Sequence, residues 1–172
     1  MRAVLISIRP KWVQKILNGE KTLEMRRTRP KLETPFKVYI YCTNQKNIML
    51  WNARSYIYVD DHNHNAFDRC WNGSVVGEFV CDRIDTINPE TEPYGIYDVD
   101  DQFVAQTGLV DGALWDYGKG ATLYGWHISN LKIYDTPKQL SEFTGLRKTK
   151  FGYAPVEIKR PPQSWCYVEE LK

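Results

Sequence analysis

A chain of 172 residues, 42% hydrophobic and 26% charged, has the length and make-up of one globular domain with a substantial core. No stretch reaches the roughly 20 apolar residues a membrane helix needs, and Arg9 and Pro10 cut short the opening apolar run Ala3 to Ile8, so neither a membrane span nor a secretory leader is expected. The net charge of +2 hides an asymmetry: residues 1–50 carry eleven Lys/Arg against three Asp/Glu, residues 51–120 four against thirteen, and residues 121–172 eight against five. Such blocks either neutralise one another across the fold or leave a basic face that attracts polyanions. Cys42, Cys70, Cys81 and Cys166 show no C-x-x-C spacing, which points to reduced thiols and a cytoplasmic protein. No cofactor is expected.

In chain order, Ala3 to Ile8 is a branched apolar run of the kind that forms a buried strand. Pro10 opens a helix, Trp12, Val13, Ile16 and Leu17 make its apolar stripe, and Gly19 closes it. A strand follows at once. Alternation puts Glu24 and Arg26 on one face and Leu23 and Met25 on the other. Lys21 has the apolar parity, so it joins the charged pair only from the turn. Arg27, Arg29 and Lys31 continue as a basic loop punctuated by Pro30 and Pro35.

Phe36 to Thr43 alternates well and reads as a strand; another is expected near Tyr56 to Val59, ahead of a polar loop at 60–65. Ser74 to Arg83 is a clear strand in which Gly77 marks a bulge or a close approach, and Glu78 stands between Val76 and Val80. Residues 84–97 look like loop. Helices are expected over Asp98 to Gln106, capped near Asp98 or Asp100, and over Asp111 to Tyr117. Thr122 to Ile128 and Leu131 to Tyr134 read as two strands, Thr136 to Phe143 as a short capped helix, 144–163 as a basic Pro-bearing segment, and Trp165 to Val168 as a closing strand. Without repeats or a long linker, residues 1–172 form one domain, α+β, with a mixed barrel of about six strands at its centre.

Several groups could carry chemistry. Lys21, Glu24 and Arg26 are either a solvated surface ion pair with a neighbour, or a grip for phosphate or a polarised amide. Tyr39, Tyr41, Tyr124 and Trp126 lie on strands near them, where rings either stack on bases or fill the core. His62, His64 and Cys70 lack a fourth ligand, so no metal site is assigned. Arg147, Lys148, Lys150, Lys159 and Arg160 form a second basic stretch, a phosphate track or a solvated loop.

Gly19, Lys21, Glu24 and Arg26 fit the pattern G-x-K-x-x-E-x-R, and this stretch resembles the signature of the ASCH domain family (activating signal cointegrator homology). Four further segments are similar to that family in the same order: Ser7 to Lys11, Val76 to Phe79, Tyr124 to Ile128, and Pro161 to Trp165, the last as in bacterial and phage-type members. The resemblance covers most of the chain, least at 44–73 and 84–120. It implies a barrel similar to the PUA domain, with the signature lining a cleft that binds RNA, a nucleotide or a nucleoside. Some members are amidohydrolases on N4-acetylcytidine that use a lysine, a threonine and a glutamate, and others are described as ribonucleases. Lys21 matches the catalytic lysine, and Glu78 is the counterpart of the glutamate by strand order. Glu24 stands where those hydrolases have threonine. The resemblance therefore implies Lys21, Glu24, Arg26, Arg27, Tyr41 and Trp126 as ligand-binding residues, with Lys21 and Glu78 catalytic in the alternative reading.

Overall fold

The computed structural model describes residues 1–45, 48–51, 55–58, 71–90, 95–110 and 112–171. Its first unit is strand β1 (Arg2–Ile8), helix α1 (Pro10–Leu17) and strand β2 (Leu23–Arg26). Pro10 is the first helical residue, where its missing N–H forfeits nothing. Gly19, at φ +76°, takes the left-handed turn that ends α1. The Gly19 amide then bonds the Ile16 carbonyl and the Lys21 amide the Lys15 carbonyl, each at 3.0 Å, which folds the chain back under the helix.

The remaining strands are β3 (Phe36–Cys42), β4 (Ile48–Trp51), β5 (Ser55–Tyr58), β6 (Ser74–Ile87), β7 (Pro89–Glu90), β8 (Ile96–Tyr97), β9 (Leu123–Lys138), β10 (Thr144–Thr149), β11 (Gly152–Glu157) and β12 (Trp165–Glu169). Helices α2 (Asp101–Thr107) and α3 (Ala113–Gly118) lie between β8 and β9. Eight strands make one sheet in the order β11-β10-β12-β1-β3-β6-β9-β2, while β4–β5 and β7–β8 form separate ladders. The sheet is mixed, because β1 runs parallel to β3 and antiparallel to β12. Its ladder stays open, yet it curls until Arg26 on the β2 edge donates to the Ser7 carbonyl of β1. This is the expected α+β, barrel-like architecture with two more strands in the main sheet.

Burial explains why β1 and β3 are nearly continuous apolar runs: they are covered on both faces. On one face Val4, Ile6, Ile8, Val38, Ile40, Phe79, Cys81 and Trp126 pack against Val13, Ile16 and Leu17 of α1. On the other lie Ala3, Leu5, Tyr39, Tyr41, Val75, Tyr134, Phe143 and Val168. A third cluster joins Leu23 and Met25 of β2 to Ile87, Tyr97, Leu114 and Leu123, so α2 and α3 are docked on the apolar face of β2.

The differences from the sequence reading have physical causes. The two expected strands at 122–134 are one strand of 16 residues, with Asn130 in the left-handed region at φ +47°. Strand β6 runs on to Ile87 through three register shifts against β9, and a Cβ on Gly77 would lie 2.6 Å from the Lys132 carbonyl oxygen, so bulge and close approach both occur there. Residues 144–157, within the segment read as basic and Pro-bearing, are the β10–β11 hairpin. Pro155 is tolerated because β11 is the outermost strand, where an amide need not join a ladder. The short helix at 136–143 reduces to one 3-10 turn, Leu140–Glu142, capped by reciprocal bonds between Gln139 and Glu142. Asp100 does cap α2, its carboxylate accepting the Phe103 amide at 2.7 Å. Among the described residues no helix is long and apolar enough to cross a membrane.

Candidate functional site

The polar face of β2 forms the floor of a cleft of about 440 Å³. Volumes of roughly 300–1,000 Å³ are usual for small-molecule sites. Around it stand Ser7, Ile8 and Arg9 from the end of β1, Trp12 from α1, Thr43 after β3, Leu109 and Tyr117 from the α2–α3 region, and Gln163 before β12.

Lys21, Glu24 and Arg26 meet on that floor, and they are buried to 4%, 6% and 9% residual exposure. Lys21 reaches it from the turn, escaping the strand parity that would have sent it to the opposite face. Its Nζ lies 3.3 Å from Glu24 Oε2 and donates to the carbonyls of Leu23 (2.7 Å) and Thr107 (2.6 Å). The Trp12 ring centroid lies 5.7 Å away. Arg26 lies against the other carboxylate oxygen, with Nε at 3.0 Å and Nη2 at 2.9 Å from Glu24 Oε1. Its Nη2 also donates to the Ser7 carbonyl (2.8 Å) and its Nη1 to Ser164 Oγ (3.1 Å). One carboxylate thus holds two buried cations, and the floor carries a net positive charge.

Burial lowers the Lys21 pKa below its ordinary 10.5, with the Glu24 carboxylate opposing that shift. Three acceptors around Nζ match the three N–H bonds of an ammonium. Burial likewise raises the Tyr117 pKa, so its phenol stays protonated beside the cluster. Its hydroxyl donates to the Met25 carbonyl at 3.2 Å.

Donor and acceptor bookkeeping shows what is left for a ligand. With each ion pair to Glu24 counted as one contact beside the hydrogen bonds, Lys21 has an acceptor for each N–H, Arg26 for four of its five, and Glu24 has three of its acceptor positions occupied. One Nη1–H of Arg26 and one lone pair on Glu24 Oε2 remain. At the rim, the exposed Arg9 guanidinium has neither ion pair nor hydrogen bond among the described residues.

The other expected site residues lie elsewhere. Glu78 is the main correction: its carboxylate pairs with Lys37 at 3.3 Å and accepts the Tyr134 hydroxyl at 2.5 Å. It stands opposite Tyr39, whose ring belongs to the second core, while the neighbouring Phe79 belongs to the first. The structure therefore does not bring Glu78 to Lys21. Tyr41 packs with Tyr39 in that second core, and Trp126, fully buried, packs against Phe36 and Trp165. Neither offers a ring to the cleft. Arg27 donates to the Tyr117 carbonyl through Nε at 2.9 Å and again through Nη2, clamping α3 to the end of β2. His62, His64 and Cys70 lie outside the described residues.

Sequence reading missed Thr107, Trp12, Tyr117, Ser7 and Ser164. Thr107 and Ser7 act through backbone carbonyls, which no residue type announces. Trp12 had a signal, since its indole begins the stripe of α1 beside the Pro10 turn that faces Lys21.

No family model matches the chain, and no curated protein does. Among solved structures the chain is similar to ASCH from Zymomonas mobilis, with a TM-score of 0.52 and 17% sequence identity over 98% of this chain and 88% of that one. It is similar also to a mutant of that protein, with a TM-score of 0.50 and 16% identity over 98% of this chain and 91% of the other. Nearly the whole chain therefore shares the fold of the Zymomonas mobilis ASCH protein.

Proposed function

We propose that the chain is an ASCH-type module whose cleft binds one nucleotide unit of RNA. The observation that carries this reading is the buried floor, where two cations share a single carboxylate and leave one donor and one acceptor unspent. A base with an exocyclic amine beside a ring acceptor, as in cytosine or adenine, complements that pair: Glu24 accepts from the amine and Arg26 donates to the ring. Trp12 and Tyr117 supply aromatic surface in the lining. Arg9, free at the rim, holds the phosphate. Lys21 holds Glu24 in place.

Hydrolysis of an acylated base is the second reading, favoured by one observation: burial of Lys21 beside a carboxylate at 3.3 Å. It runs through Lys21 and Glu24, because Glu78 is engaged with Lys37 and Tyr134. A ribonuclease finds less here, since the cleft lining among the described residues contains no histidine.

Calorimetry with the four ribonucleoside monophosphates tests the leading reading. Cytidine and adenosine monophosphate are expected to bind, and the uridine analogue, lacking the amine, to bind about 10-fold to 100-fold more weakly, as for ~1–3 kcal/mol of lost hydrogen bonding. Binding of none of the four overturns the proposal. Release of acetate from N4-acetylcytidine, lost in Lys21→Met and retained in Glu78→Gln, decides for the second reading.

A further inference from the structure

We infer that a row of aromatic rings running from the cleft to the β10–β11 hairpin is a track for single-stranded nucleic acid, with the exposed Phe151 at its far end. The inference rests on the nucleotide reading of the cleft and extends it from one unit to a strand.

The row starts at the cleft wall. Ser164, which takes a hydrogen bond from Arg26, is followed directly by Trp165, half-buried on β12. The Trp165 ring lies 5.4 Å from Tyr167, and Tyr167 lies 5.3 Å from Tyr153 on β11. All three rings are only partly buried, and Trp165 and Tyr167 lie on the face of β12 that packs against the first core. Strand parity fixes this: Cys166 and Val168 point to the opposite core.

Positive charge accompanies the rings. The Arg2 guanidinium sits 4.5 Å above the Tyr153 ring centroid and 5.8 Å from that of Tyr167. Lys148 lies across the ladder from Tyr153, on the same face, and is exposed. Glu169 faces Arg2 across the β1–β12 ladder, with no ion pair between the two. The hairpin tip carries a further ring. Phe151 is 93% exposed, and the ammonium of the adjacent Lys150 is 5.8 Å from its ring. The tip is ordered by Thr149, whose hydroxyl accepts the Phe151 amide (3.2 Å) and donates to the Gly152 carbonyl (3.1 Å). A ring held in solvent on a bonded turn, with Lys150 beside it and Lys148 on the same hairpin, suits stacking on an unpaired base whose phosphates the lysines neutralise. A polyanion with exposed π-faces is single-stranded nucleic acid. A duplex keeps its bases stacked on one another and offers Phe151 nothing.

Fluorescence anisotropy with labelled single-stranded RNA of two, four, eight and twelve nucleotides, beside calorimetry with cytidine monophosphate, tests the track. Affinity is expected to rise with length beyond the dinucleotide. Phe151→Ala is expected to weaken the octamer at least several-fold and leave the mononucleotide unchanged. Replacing Lys148 and Lys150 by Ala removes two phosphate contacts, so the slope of log affinity against log salt becomes shallower by about 1.4. Both positions are exposed, and an unchanged circular dichroism spectrum and mononucleotide affinity verify the fold. An octamer that binds no tighter than the dinucleotide, or that ignores Phe151 and both lysines, overturns the track. If the octamer depends on Phe151 while the mononucleotide fails to bind, the track stands and the cleft reading falls.

Discussion

Replacing Glu24 by Gln removes one charge and almost no volume, which makes it the cleanest probe of the cleft floor. In the native protein this carboxylate lies 3.3 Å from Lys21 Nζ and 2.9 Å from Arg26 Nη2, and all three residues are buried. An amide retains one acceptor but leaves two like charges facing each other out of water. Breaking a buried ionic group by removing one partner costs about 3–5 kcal/mol. Because the amide still accepts one bond, the lower end, about 3 kcal/mol, is expected. For a domain of this size that lowers the melting temperature by about 6–12 °C. Urea unfolding, read by circular dichroism and by tryptophan fluorescence, measures it. The double variant Lys21→Met, Glu24→Gln should lose less than the sum of the singles, because the unpaired ammonium is gone. A loss below about 1 kcal/mol, typical of exposed pairs, refutes the buried floor.

Three other outcomes follow from the same geometry. Lys21 is held below its ordinary pKa of 10.5, mainly by burial and against the pull of Glu24, so in the window just below pH 10.5 the unfolded chain binds more protons than the native one. Stability relative to Lys21→Met should therefore rise as pH climbs toward 10.5, and a flat or falling difference contradicts the assignment. Arg9→Ala should weaken nucleoside monophosphates at least several-fold and leave the corresponding nucleosides unaffected; equal losses for both place Arg9 in structure rather than in phosphate binding. Gly77→Ala forces a Cβ to within 2.6 Å of the Lys132 carbonyl oxygen and should cost about 1–3 kcal/mol through strain in the β6–β9 ladder, which the urea midpoint reports.

How legible the site was depends on which part of it acts. Strand alternation placed Glu24 and Arg26 on one face, and both do line the cleft. Lys21 was ambiguous, because only the bonds that follow Gly19 decide whether its side chain follows strand or turn. The carbonyls of Thr107 and Ser7 were invisible, since every residue carries one. Glu78 misled for a different reason. Strand β6 is packed on both sides, with Phe79 in one core and Val75 in the other, so apolar neighbours do not say which face meets the cleft. Tyr41 fails in the same way on β3. The outer hairpin was hidden by Pro155, whose usual veto on strands lapses at a sheet edge.

The most direct measurement of nucleotide binding at the cleft is a titration of ¹⁵N-labelled protein with cytidine monophosphate, following the tryptophan indole resonances. Trp12 lines the cleft, whereas Trp126 is sealed in the core and Trp115 packs under Tyr97. A nucleotide seated on the Lys21–Glu24–Arg26 floor shifts the Trp12 indole saturably and leaves Trp115 in place, and Arg26→Ala abolishes the Trp12 shift. A Trp12 indole that stays fixed at saturating nucleotide contradicts the assignment of this cleft as the binding site.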